Sequence, residues 1–146
     1  MEQTKVFKQL QIMHLALVGG VVILSAVIGL LLSNKGAAAD YSGIFQGFLL
    51  AASGILALQL VVSYLVWNKR QSGIPASAGS TEKMAHYQTS CILRWALIES
   101  GTLISVILTF LEQNLAGLAI AAVGLAFLFL AKPNKDYVME KYGLRA

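Results

Sequence analysis

Charge is scarce in this chain. Only 12% of its 146 residues are Asp, Glu, Lys or Arg, about half the share of a soluble domain. Cysteine is scarcer: the single Cys91 excludes an internal disulfide and any CxxC site. Proline stands only at Pro75 and Pro133, so long stretches can run as unbroken helix. There is no Gly-rich phosphate loop, no H-E-x-x-H and no nucleophile elbow. A non-enzymatic protein without a cofactor is the expectation from these gaps. What fills the chain is apolar: 57% of residues are hydrophobic, and mean hydropathy is +0.69. A soluble fold of this size has too little interior to hide that surface. Soluble enzyme, secreted disulfide scaffold and disordered tail are thereby excluded, leaving an integral membrane protein.

Four apolar runs cover residues 10–32, 43–67, 87–111 and 114–131, each near the roughly 20 residues that cross a bilayer as helix. Backbone groups in lipid must be satisfied within the segment, and no alternating barrel pattern is present, so the runs predict helices. Residues 33–42 and 112–113 are short links, which predict antiparallel neighbours. The expected fold class is therefore an all-α membrane protein, one transmembrane domain of two antiparallel hairpins. Residues 68–86 form a polar linker with a small-residue core, QSGIPASAGST, and residues 132–146 form a tail. A cleavable leader is the rival reading of the first run, because Ala37, Ala38, Ala39 and Asp40 resemble a cleavage site. The run is too long for an h-region of about 7–15 residues.

Of the 11 Lys and Arg, all but Lys35 and Arg94 fall in the N-terminus, the linker or the tail. Basic residues in short loops mark the cytoplasmic side. Both termini and the linker are therefore expected in the cytoplasm, with the chain multi-pass in a bacterial inner (plasma) membrane. The same juxtamembrane charge accounts for the net +4 without invoking nucleic acid, since it complements anionic headgroups.

The two halves resemble each other. An offset of 80 pairs Ile12 with Ile92, Ala16 with Ala96, Leu17 with Leu97 and Ser25 with Ser105; an offset of 70 pairs Gly47, Ala51, Ala52 and Gly54 with Gly117, Ala121, Ala122 and Gly124. Apolar helices also share residues by chance. The common G-x-x-x-A-A-x-G spacing favours a duplicated hairpin, with parallel repeats about an axis along the membrane normal. Lipid gives helices no hydrophobic reason to associate, so close packing at small residues must do it. Gly43, Gly47, Ala51 and Gly54 on the second run, and Gly117, Ala121 and Gly124 on the fourth, are the expected packing stripes. They serve either one bundle or contact with another subunit.

Arg94 and Glu99 are the ionisable residues inside the runs, apart from His14 near the start of the first. Charge at membrane depth marks a functional candidate. A separation of five rotates about 140° and rises about 7.5 Å on a helix, so the two cannot easily pair. Arg94, near the cytoplasmic boundary, can extend its guanidinium to lipid phosphates or meet a neighbouring helix or subunit. Glu99 lies too deep for that. It reads as a protonated carboxyl bonded to another helix, as one half of a salt bridge to a partner, or as a proton or cation site. Gln46, Ser53, Gln59 and Ser63 are its candidate neighbours in the chain.

A duplicated small-residue hairpin with one mid-membrane carboxylate resembles the proteolipid (c-type) rotor subunits of rotary ATPases. The turn Asn68-Lys69-Arg70-Gln71 is similar to that family's polar loop. The resemblance implies an ion-carrying role for Glu99. In that family, however, the carboxylate lies on the second helix of a hairpin, whereas Glu99 lies on the first helix of the second half. The segment Arg94-Trp95-Ala96-Leu97-Ile98-Glu99 also resembles uncharacterised bacterial four-span membrane proteins with an R-W-A-L-x-E segment, a likeness that implies no activity.

His14 and His86 raise a haem pair, which their expected separation along the helix disfavours. Tyr41, Tyr64, Trp67, Tyr87 and Trp95 fall near the run boundaries, where aromatic anchors belong. The tail mixes Lys with Tyr137, Val138, Tyr142 and Leu144, as an interfacial helix or docking segment would. The leading functional expectation is a non-enzymatic, oligomerising or accessory subunit of a membrane complex, with the bilayer, copies of itself or other membrane subunits as partners. The second is proton or cation translocation through Glu99.

Overall fold

A computed structural model describes residues 2–40, 47–75 and 77–143. Within them the chain is all-helical: α1 (Glu2–Asn34), α2 (Phe48–Ser72), α3 (Ser80–Glu112), α4 (Gly117–Leu130) and α5 (Lys135–Tyr142). Three helices, α1 to α3, are long and apolar enough to cross a membrane; α4 and α5 pass the same test only as a pair bent by 50°. The chain is a multi-pass membrane protein. Helix α1 starts eight residues before its apolar run, and α3 starts seven before its own, because helix continues into the polar margin where Lys5 and Lys8 are exposed.

Packing is inverted relative to a soluble bundle. Ile12, Leu15, Ile23, Leu30, Leu58 and Leu111 are each at least 64% exposed, while Ser90, Thr102, Ser105 and Thr109 of α3 are at most 1% exposed. Large aliphatic residues face lipid at no cost there, and small hydroxyl residues let backbones approach. Each buried hydroxyl is satisfied one turn back. Thr102 donates to Ile98 O at 2.8 Å, Ser105 to Gly101 O at 3.0 Å and Thr109 to Ser105 O at 2.8 Å.

Helix α3 is the hub. It packs against α1, α2 and α4, and α4 also touches α1 and α2. The crossings use glycine. A Cβ on Gly117 would collide with Thr109, one on Gly124 with Thr102, and one on Gly101 with Gln59 and Leu56 of α2. The link between α3 and α4 is 113–116, later and longer than the 112–113 expected, because α3 continues through Glu112 and α4 starts only at Gly117. Gln113 caps α3 in the left-handed conformation, φ 50°, and the two helices pack together. The link between α1 and α2 does not bring those helices together, and α1 and α2 touch at most marginally among the described residues. Instead α1 runs alongside α3 in the same direction. Phe7 meets Tyr87 at a ring separation of 5.9 Å, His14 meets Trp95 at 5.1 Å, and Ile28 and Leu32 share a cluster with Val106.

At the opposite end from the linker, Asn114 clasps the loop after α1. Its Oδ1 accepts from Asp40 N at 3.0 Å, its Nδ2 donates to Asp40 O at 3.0 Å, and Leu115 N donates to Ala38 O at 3.2 Å.

Candidate functional site

The site begins with a helix that stops early. Helix α4 has 14 residues, a rise of only about 21 Å, and the segment Ala131-Lys132-Pro133-Asn134 ends it because proline cannot continue the ladder. The last carbonyls of any helix lack intrahelical donors, and in lipid an unmet one is costly. Side chains of α1 and α3 supply the donors. Trp95 Nε1 donates to Ala131 O at 2.8 Å, and His14 Nε2 donates to Leu128 O at 2.8 Å. With a carbonyl as its partner, that imidazole carries its proton on Nε2. Tyr87 Oη accepts from Asn134 N at 3.0 Å. Tyr87 and Trp95 are therefore core residues, 2% and 0% exposed, rather than boundary anchors. Tyr64, by contrast, is 60% exposed, and Tyr41 lies outside the described residues.

Beyond this break, α5 packs back on the bundle. Asn134 caps it by accepting from Tyr137 N at 3.1 Å. Val138 and Tyr142 are buried, and Tyr142 Oη donates to Gln71 Oε1 at the end of α2. The tail is thus a docked helix as far as Gly143; Leu144 and Arg145 lie outside the described residues.

Where the ends of α2 and α4 meet α3 and α5, a pocket of about 260 Å³ opens. Helix α2 contributes Trp67 and α3 contributes Tyr87, Cys91 and Arg94; the remaining wall runs from Leu130 to Tyr137 and includes Lys132 and Asn134. The Arg94 guanidinium lies over the Trp67 ring, 5.1 Å from its centroid, a cation–π contact. Trp67 in turn meets the rings of Tyr87 at 5.9 Å and Tyr137 at 6.3 Å. Among the described residues, Arg94 Nε is buried without a hydrogen-bond partner, and no acidic residue lines the pocket. Nothing in the sequence pattern joined Trp67, Lys132 and Arg94; the available signal was the proline-terminated fourth run, whose orphan carbonyls required nearby donors.

Glu99 stands apart from this pocket. It is partly exposed and makes no hydrogen bond or ion pair among the described residues. Its candidate neighbours are engaged elsewhere. Gln59 Oε1 accepts from Ser100 at 2.8 Å, Ser53 donates to Leu49 O at 2.8 Å, and Ser63 donates to Leu60 O at 2.8 Å; Gln46 lies outside the described residues. Arg94 and Glu99 form no pair with each other. The two small-residue stripes also separate. Gly117, Ala121 and Gly124 are buried, whereas Gly47, Ala51 and Gly54 are exposed. A Cβ on Gly47 or Gly54 would meet nothing within 4 Å. Gly43 lies outside the described residues.

Compared with known proteins, the chain matches no family model, no curated sequence and no solved structure, so its function is argued from its own geometry.

Proposed function

We propose that this chain is a non-enzymatic subunit of a bacterial inner membrane that works by assembling, with copies of itself or with another membrane protein, through the outward face that carries Glu99. The unmatched carboxyl of Glu99 carries this reading. A charged group at the centre of a span costs about 2.5–3.5 kcal/mol on insertion scales, and a neutral carboxyl still holds an O–H that hydrocarbon cannot satisfy. Ser53, Ser63 and the Gln59 carbonyl, its described candidates on α2, bond within the chain, which supports a partner from outside it. The open Gly47, Ala51 and Gly54 face of α2 offers a second close-packing surface.

Four crossings accompany this proposal, with α4 and its flanking turns as the fourth and α5 at the cytoplasmic surface. The distribution of Lys and Arg supports cytoplasmic termini. A parallel duplication draws support from Phe7 and Tyr87. They are 80 positions apart in sequence and 5.9 Å apart in space, as equivalent residues beside a shared axis would be.

Particle size after gentle solubilisation tests the proposal. The wild-type chain is expected as an oligomer or a complex, and Glu99→Ala as a smaller particle with unchanged helicity. A wild-type monomer overturns it. A proton- or cation-carrying Glu99 is the competing outcome: Glu99→Gln would then abolish flux in reconstituted vesicles while leaving particle size unchanged.

A further inference from the structure

We infer that the pocket between Trp67, Arg94 and Lys132 is a binding site for an anionic, phosphate-type headgroup. Three observations converge on it. First, a guanidinium nitrogen is buried there without a partner. A buried donor that the chain leaves unmet loses its hydration for nothing, and Arg presents a planar fork suited to phosphate oxygens. Second, Lys132 lines the same cavity and no acid does among the described residues, so the charge lining it is positive. Third, the cavity of about 260 Å³ is several times the ~30 Å³ that one water occupies in the liquid, room enough for a phosphate with its ester groups.

The aromatic residues sharpen the chemistry. A cage of aromatic rings such as Trp67, Tyr87 and Tyr137 is the kind of site that takes a quaternary ammonium guest. The face of Trp67 is already covered by Arg94 at 5.1 Å, and that guanidinium would repel a second cation. The ligand is therefore an anion, held by Arg94 on its ring platform and by the flexible charge of Lys132. Leu130, 77% exposed, forms an apolar lip beside the cavity, as suits a headgroup whose chains remain in the bilayer. A free phosphate shares the same recognition chemistry, and the experiment separates the two.

The full chain is reconstituted in phosphatidylcholine vesicles, and tryptophan quenching by lipids with brominated acyl chains is recorded. Trp67 reports on the pocket; Trp95 is 0% exposed and contributes a constant background. Brominated phosphatidylglycerol is expected to quench more than brominated phosphatidylcholine at equal mole fraction, and Arg94→Gln to weaken this excess binding roughly tenfold or more. Lys132→Gln, an exposed position, is expected to reduce it less and to weaken its salt dependence. If inorganic phosphate removes the excess, or alone shifts Trp67 emission in the wild type and not in Arg94→Gln, the site takes soluble phosphate. Equal quenching by both lipids with no response to phosphate overturns the inference. So does an unchanged excess in Lys132→Gln should Arg94→Gln fail to fold.

Discussion

The indole N–H of Trp95 donates to the carbonyl oxygen of Ala131 across 2.8 Å, so a side chain in the middle of one helix closes the open end of another. This bond joins α3 to the point where α4 stops. His14 adds a second donor one turn earlier, at the Leu128 carbonyl, which also accepts from Ala131 N at 3.2 Å. Two buried side chains, one from α1 and one from α3, thus converge on the end of α4.

Trp95→Phe keeps most of the ring and removes the donor. The orphaned carbonyl costs about 1–3 kcal/mol. A lower unfolding midpoint in detergent, with helicity retained below it, is the expected outcome; an unchanged midpoint would mean that another donor reaches Ala131.

His14→Phe should destabilise by less, about 0.5–1.5 kcal/mol, because Ala131 N still donates to Leu128 O, and His14→Gln by less again, because its amide can still donate there. The two midpoints, measured side by side, separate the hydrogen bond from the ring contact with Trp95.

Gly124→Leu and Gly54→Leu should part company. A side chain at Gly124 runs into Thr102, forcing α3 and α4 apart at a cost of about 1–3 kcal/mol. At Gly54 there is open space, so the isolated chain should keep its midpoint. If the outward face of α2 joins a subunit interface, only particle size changes there.

Tyr142→Phe should loosen α5. It leaves Gln71, 5% exposed and with an already unmatched Nε2, without its tyrosine partner. Faster proteolysis after Lys135 or Lys141, with the rest of the bundle protected, is the expected readout.

The helices were legible in the sequence because their cause is local: long apolar runs with proline only outside them leave no other way to satisfy the backbone. Arg94 and Glu99 stood out for the same reason, as charges where charge is expensive. Their surroundings were not legible. Both Trp95 and Tyr87 have boundary positions and boundary chemistry, and only the short α4 turns them inward as hydrogen-bond partners. The two G-x-x-x-A-A-x-G stripes read alike, yet one meets Thr102 and Thr109 while the other meets nothing, since the facing helix decides the outcome and sequence spacing does not name it. The short 33–42 link suggested that α1 and α2 lie side by side; a link fixes which ends are close, while the packing partner is chosen by the hydroxyl-lined surface of α3.

That choice has a consequence for biogenesis. Because α1 and α2 meet chiefly through α3 and α4, the first half of the chain leaves the ribosome with little to hold it together. It must wait in the bilayer, loosely associated or escorted by the insertion machinery, until α3 emerges to gather the earlier helices around it. An arrest of translation before residue 80 should therefore yield two inserted but independent helices, and maturation should appear as one late step.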